Sequence, residues 1–159
     1  MNIALIGSGG REHAICQKIH ESKLTKKIIC IPGNAGTKNI AENLEIDISN
    51  FNKIYKAIKI FKIDLVIVGP EEPLVKGLVN FLETKKVKVF GPNKFASRLE
   101  GSKAFMKKLC KKYNIPTSKF EIFKNKDEAI KYLDNSTYPI VIKADGLASG
   151  KGVYICKSN

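Results

Sequence analysis

The stretch NIALIGSGGREHAICQKIHES, residues 2–22, decides the fold. An unbroken apolar run from Ile3 to Ile6 meets a glycine turn, Gly7 to Gly10, and a helical pattern follows with Ala14, Ile15 and Ile19 on one face. A short strand without polar alternation is buried on both faces, as in a parallel sheet covered by helices. The same strand and helix units recur downstream. KKIICIPG (26–33) reads as a second strand, and after a loop NKIYKAIKIFK (52–62) places Ile54, Ala57, Ile58 and Phe61 on one stripe. IDLVIVGP (63–70) is a third strand, LVKGLVNFLETK (74–85) a single helix, and VKVFGP (87–92) a further strand. The expectation is an α/β chain whose first part is a Rossmann-like parallel sheet.

The plan changes near FGPNKFASRLEGSK (90–103), which separates a domain at 1–100 from a second region at 101–159. SKAFMKKLCKKYN (102–114) is helical with Phe105, Met106, Leu109 and Cys110 as its apolar stripe, and IPTSKFEIF (115–123) is expected to begin a strand after Pro116. NKDEAIKYLDN (125–135) is a helix announced by Asn125 as its cap, with Glu128 three residues on. YPIVIKAD and GVYIC are two strands joined by a glycine loop, so the second region has an α+β character.

Hydrophobic residues make up 43% of the chain, enough for a globular core, and no apolar run reaches the roughly 18–20 residues of a membrane span. The amino terminus has no basic region before its first apolar stretch, so it reads as a strand rather than a signal peptide, and the expected location is the cytoplasm without membrane attachment. Cys16, Cys30, Cys110 and Cys156 are scattered, without a C-x-x-C pair or histidines at metal-ligand spacing, and read as reduced core thiols. His13 and His20 have no metal partner nearby in sequence and read as structural or surface residues, with His13 set in the turn-to-helix junction. The net charge of +13 comes from 28 basic residues of which only Arg11 and Arg98 are arginine, the lysines being spread over every segment. Without interleaved aromatics, that pattern describes a solvated surface and no specific nucleic-acid partner.

Two glycine turns are phosphate candidates. GSGGREH (7–13) matches a dinucleotide fingerprint at Gly7 and Gly9 but has Glu12 where the third glycine belongs, and the second strand ends in Pro32, Gly33 and Asn34 instead of an acid. An NAD site is therefore not expected. The backbone amides of Gly9, Gly10 and Arg11 at a helix amino end still favour an anion, with Arg11 adding a charge. The second candidate, KADGLASGKGV (143–153), fails the Walker test, since Asp145 stands at its first glycine, Gly152 at its hydroxyl position, and a strand follows where a helix should. It is a glycine loop within a β-hairpin, able to fold over phosphates with its amides. Lys143, flanked by apolar residues, is expected to face an interior or cleft, and Lys103 begins the first helix of the second region; with the loop they form a candidate triphosphate site.

In order, IGSGGREHA, PGNAGT, DLVIVGPEEPLVKGLVN, FGP, LEGSKAF and IVIKADGLASGKGV resemble the glycinamide ribonucleotide synthetase family, the phosphoribosylamine–glycine ligases, over residues 2–154. The resemblance implies a pre-ATP-grasp domain at 1–100 and the beginning of an ATP-grasp domain at 101–159. It implies a carbon–nitrogen ligase of purine biosynthesis that joins 5-phosphoribosylamine to glycine through a glycyl phosphate, with ATP and Mg2+ (or Mn2+), as a monomer. It casts Lys103, Lys143 and the loop Asp145, Gly146, Leu147, Ala148, Ser149, Gly150, Lys151, Gly152 as ATP-binding. Gly9, Gly10, Arg11, Glu12, Asn34, Gly36, Thr37, Pro70, Glu71 and Pro73 are cast as phosphoribosylamine-binding. No catalytic side chain is assigned, and the metal ligands are expected outside the chain. Independently of the resemblance, the three motifs that carry these phosphoribosylamine candidates, at 9–12, 34–37 and 70–73, follow strand ends, where a doubly wound sheet binds ligands. Family members run to several hundred residues, so the chain is expected to be an amino-terminal piece inactive alone. The alternatives are another ATP-grasp ligase, or a non-catalytic phosphosugar or nucleotide module, including one subunit of a split ligase.

If the lysines only solvate the surface, DNA affinity measured by fluorescence anisotropy should show no sequence preference and vanish by about 200 mM salt.

Overall fold

The structure, a computed structural model, describes residues 1–148 and 150–158. It divides into two units, Met1–Ser97 and Arg98–Asn159.

In the first unit, β1 (Asn2–Gly7), β2 (Lys27–Pro32), β3 (Glu42–Asn43), β4 (Leu65–Val68) and β5 (Val89–Phe90) form a sheet in the order β3-β2-β1-β4-β5. Every pairing is parallel, with Ile6 of β1 in register with Ile31 of β2 and Val68 of β4. Unbroken apolar strands need cover on both sides, and the sheet has it. On one face α1 (Gly10–His20) brings Cys16 onto Leu5, Ile28 and Cys30. On the other, α2 (Phe51–Ile60) and α4 (Leu78–Thr84) bring Ile54, Ile58, Leu78 and Leu82 onto Ala4, Ile6, Ile29 and Val66. Alternate residues of β1 thus serve opposite layers, as the pleat requires.

Three local expectations change. The inward face of α1 is Glu12, Ile15, Cys16 and Ile19, while Ala14 is exposed. At 100° per residue, positions 12, 15, 16 and 19 share a face and position 14 lies across the helix from it. The single helix expected from Leu74 to Lys85 is two, α3 (Glu71–Lys76) and α4, broken at Gly77 with φ +94°, whose amide donates to the carbonyls of Pro73 and Leu74. β3, which has no apolar run to announce it, occupies the segment that the sequence reading leaves as loop. Cys16 and Cys30 are free, with Sγ atoms 3.6 Å apart, and burial pushes the Cys30 thiol up to about 12, the neighbouring Cys16 adding to the effect. Both are core residues.

The second unit contains α5 (Arg98–Gly101), α6 (Lys103–Lys112), α7 (Lys126–Asp134) and an antiparallel hairpin of β6 (Ile140–Lys143) and β7 (Val153–Cys156). Asn125 caps α7 by accepting from the Asp127 amide at 2.7 Å. On α6 only Cys110 is buried, with Phe105, Met106 and Leu109 half-buried. The strand expected after Pro116 does not form. A strand exists only through a ladder partner, and among the described residues β6 and β7 pair only with each other. Residues 117–118 are instead held by Lys107 Nζ, which donates to Thr117 Oγ1 at 2.6 Å and Ser118 Oγ at 2.8 Å. No helix among the described residues is long and apolar enough to cross a membrane.

Ile54→Ala should cost about 2–5 kcal/mol in urea unfolding, because Ile54 is fully buried, whereas Ala14→Lys should stay within about 0.5 kcal/mol.

Candidate functional site

The carboxyl ends of β1, β2 and β4 lie side by side, so the turns that follow them share one edge of the sheet. At its centre is Glu12, only 3% exposed. One carboxylate oxygen accepts from the Gly9 amide at 2.7 Å and the other from Arg11 Nε at 3.0 Å. Glycines make the space. A Cβ on Gly7 would lie 2.6 Å from Glu12 Cγ, one on Gly9 would lie 2.9 Å from Oε2, and one on Gly69 would strike Oε1. The sequence position that a dinucleotide fold gives to a small glycine therefore carries a long acid, and the strand side has been hollowed to receive it.

Arg11 also donates from Nη1 to Glu71 Oε1 at 2.9 Å, tying the first turn to the start of α3. Its two carboxylate partners, Glu71 first and then Glu12, hold the guanidinium charged above its ordinary range, and Arg11 in turn lowers Glu71 below the ordinary carboxylate value. Asn34 joins the third turn, with Nδ2 donating to the carbonyls of Ser8 at 3.0 Å and Gly9 at 3.2 Å while its Oδ1 accepts from the Thr37 amide at 2.9 Å. The Thr37 hydroxyl is buried against Asn34 and Asn43. Gly36 lies against the His13 ring so closely that a Cβ there would overlap it.

The residues read as a phosphosugar edge are thus contiguous but not equivalent. Gly10 and Arg11 are exposed at the amino end of α1, where the first amides have no intrahelical partner. Pro70 caps α3 and Glu71 begins it. The Gly9 amide is already engaged by Glu12, the Thr37 hydroxyl is engaged, and Pro73 is fully buried beneath α3. Those three therefore shape the edge without offering a free group. Sequence reasoning missed Asn43 and Gly69; the glycine directly after the DLVIV run was a signal for close backbone approach, whereas Asn43 had none.

In the second unit the hairpin loop is closed at its base by the Ala144 amide donating to the Gly152 carbonyl at 2.8 Å, and Gly152 is buried where a Cβ would lie 2.8 Å from that of Ala148. Gly146 and Gly150 take φ +92° and +77°, with open space where a Cβ would stand. Lys103 Nζ donates to the Gly146 carbonyl at 2.8 Å. The Asp145 carboxylate accepts from Ser102 Oγ and, at 3.1 Å, from the Ala104 amide. Burial tends to raise Asp145, but hydrogen bonds from Ala104, Ser102, Gly146 and Lys103 outweigh it and leave the group below its ordinary value. Leu147, Gly150 and Lys151 are exposed, Ala148 is half-buried, and Ser149 lies outside the described residues. Lys143 is exposed, not turned to an interior, because a two-stranded hairpin leaves its neighbours Val141 and Ile142 exposed as well. Among the described residues no cluster of three or more His, Cys, Asp or Glu side chains is arranged to hold a metal ion.

A parallel α/β unit followed by a helix and a glycine-loop hairpin is the opening of the ATP-grasp fold. N5-carboxyaminoimidazole ribonucleotide synthetase from Thermotoga maritima superposes with TM-score 0.74 over 99% of this chain and 41% of its own, at 19% identity, a likeness of fold alone. The chain belongs to the phosphoribosylglycinamide synthetase family: the model of that family's N domain matches residues 1–100 and that of its ATP-grasp (A) domain residues 101–159. The phosphoribosylamine–glycine ligase of Clostridium acetobutylicum is 49% identical over 159 residues, 99% of this chain and 38% of the relative. That of Caldanaerobacter subterraneus subsp. tengcongensis is 48% identical over 99% of this chain and 38% of its own length. The crystal structure of the Thermotoga maritima phosphoribosylamine–glycine ligase matches with TM-score 0.78 at 37% identity, over 99% of this chain and 36% of its own. The chain therefore spans well under half the length of these relatives.

Gly69→Ala should drive a methyl into Glu12 and destabilise the first unit by about 1–3 kcal/mol in denaturant unfolding. The stability that Glu71 draws from Arg11 is present above its ordinary value of 4.5 and is lost as pH falls through its lowered folded value. Glu71→Gln should accordingly flatten the acid limb of a thermal-melt profile against pH.

Proposed function

We propose that the chain serves the ATP-dependent joining of 5-phosphoribosylamine to glycine, giving glycinamide ribonucleotide, ADP and phosphate. The carrying observation is the glycine loop clamped between β6 and β7, with Lys103 tied to its base, in a chain of this family. In this reading the glycine carboxylate takes the γ-phosphoryl group and the sugar amine then displaces phosphate from the acyl carbon. Residues 1–100 supply the phosphosugar edge, where Gly10 and Arg11 amides attract a phosphate, Glu71 offers a polar partner and Asn34 holds the third turn against the first. Residues 101–159 supply the beginning of the nucleotide-binding part. Amides of the loop and the ammonium groups of Lys103, Lys143 and Lys151 meet the triphosphate there, and positioning with charge neutralisation does most of the work. Mg2+ or Mn2+ would supply charge neutralisation for the triphosphate, and the described residues offer no acidic cluster of their own to hold it. The same reading makes the protein a cytoplasmic, monomeric ligase.

Titration calorimetry with a non-hydrolysable magnesium–ATP analogue tests the nucleotide assignment. Lys143→Ala and Lys151→Ala should each weaken binding by about 10-fold or more, the loss expected for a charged hydrogen bond. Absence of both nucleotide and ribose 5-phosphate binding would sink the proposal. Because the described residues lack a metal cluster, the chain supplied with all three substrates should form product far below the ~10 s⁻¹ typical of enzymes, and robust turnover would overturn that part of the reading.

A further inference from the structure

An aspartate at the base of a loop meant for phosphates is an electrostatic problem, since its charge opposes the ligand. The hydrogen bonds around Asp145 resolve it. Ser102 caps α6, its hydroxyl oxygen accepting from the Phe105 amide at 3.1 Å while donating to Asp145 at 3.0 Å. The Asp145 carboxylate accepts from the Ala104 amide in the same first turn, so its charge is spent on the helix amino end rather than left facing the loop. In the opposite direction, Lys103 reaches from that first turn to the Gly146 carbonyl. Contacts spanning 43 residues of sequence thus form a two-way clasp. The half-buried Lys103 and the entry of the loop are held as one body, and the left-handed Gly146 lies just beyond the fixed point.

Resting on the nucleotide reading above, we propose that Asp145 is a positioning residue: it docks the loop entry on the amino end of α6 and thereby places Lys103 for the triphosphate, without touching nucleotide or metal itself. Geometry, not charge, is what this role demands. Asparagine retains an acceptor at the same reach, whereas glutamate retains the charge at the wrong reach.

Two measurements on the whole chain decide it. Hydrogen exchange without nucleotide should show the Ala104 amide protected in the wild type and in Asp145→Asn, and deprotected in Asp145→Ala and Asp145→Glu. Calorimetry with the magnesium–ATP analogue should find Asp145→Asn within about threefold of wild type and the Ala and Glu variants weaker by about tenfold, the scale of a lost helix cap. Asp145→Ala combined with Lys103→Ala should bind no more weakly than Lys103→Ala alone, because Asp145 acts through that lysine. Asn as weak as Ala, with Glu retaining affinity, would make Asp145 a charge ligand and overturn the proposal, as would additive losses in the double variant. If the wild type binds no nucleotide, the ATP reading fails by itself, and the clasp is then judged by exchange: Ala104 protection unchanged in Asp145→Ala overturns it. Circular dichroism on each variant separates these results from unfolding, and Asp145→Asn and Asp145→Glu decide the matter if Asp145→Ala does not fold.

Discussion

A carboxylate taken out of water must be met by donors, and the carboxyl edge of the parallel sheet is organised around that requirement at Glu12. The Gly9 amide and Arg11 Nε satisfy its oxygens, while Gly7, Gly9 and Gly69 stay small so that the side chain can lie against the backbone where β1 and β4 end. The same contact fixes Arg11, and Arg11 then orders Glu71 at the start of α3. Two motifs about 60 residues apart in sequence are joined through one buried acid. The edge that results has the Arg11 guanidinium between two carboxylates, so its charge is already matched and the exposed donors beside it are backbone amides.

The second unit solves a related problem differently. There the acid is exposed, and its charge is absorbed by the first turn of a helix that otherwise ends in unsatisfied amides. Ser102 serves both partners at once, and Lys103 returns the contact to the loop. A glycine loop needs freedom beyond its anchor and rigidity at it. Open space around Gly146 and Gly150 provides the first, and the packed Gly152 with its bond from Ala144 provides the second.

Much of this was legible without coordinates. Unbroken apolar runs at Ile3–Ile6 and Leu65–Val68 required a sheet covered on both faces, and the stripe of Ile54, Ala57 and Ile58 became a buried helix face. The hairpin was readable because β-branched runs flank the glycines, and the family resemblance rested on motifs whose order survives any detail of packing. What misled was local pattern judged without its surroundings. Apolar residues on both sides of Gly77 suggested one helix, yet a glycine free to take φ +94° ended it. Apolar residues after Pro116 suggested a strand, yet no strand among the described residues offers them a ladder.

The sequence by itself determined the alternation of strands and helices, the place of each glycine turn and the family, because these follow from periodicity, residue type and motif order along the chain. Only the tertiary structure decided which polar groups are spent and which are free. Glu12 read as a mismatch in a fingerprint and as a ligand contact, and is buried at the centre of an edge; Asp145 read as part of a glycine loop, and its carboxylate is engaged by the first turn of α6; Pro73 read as ligand-facing and is core. Burial and hydrogen-bond partnership depend on residues far apart in sequence, and no local pattern encodes which of them will meet.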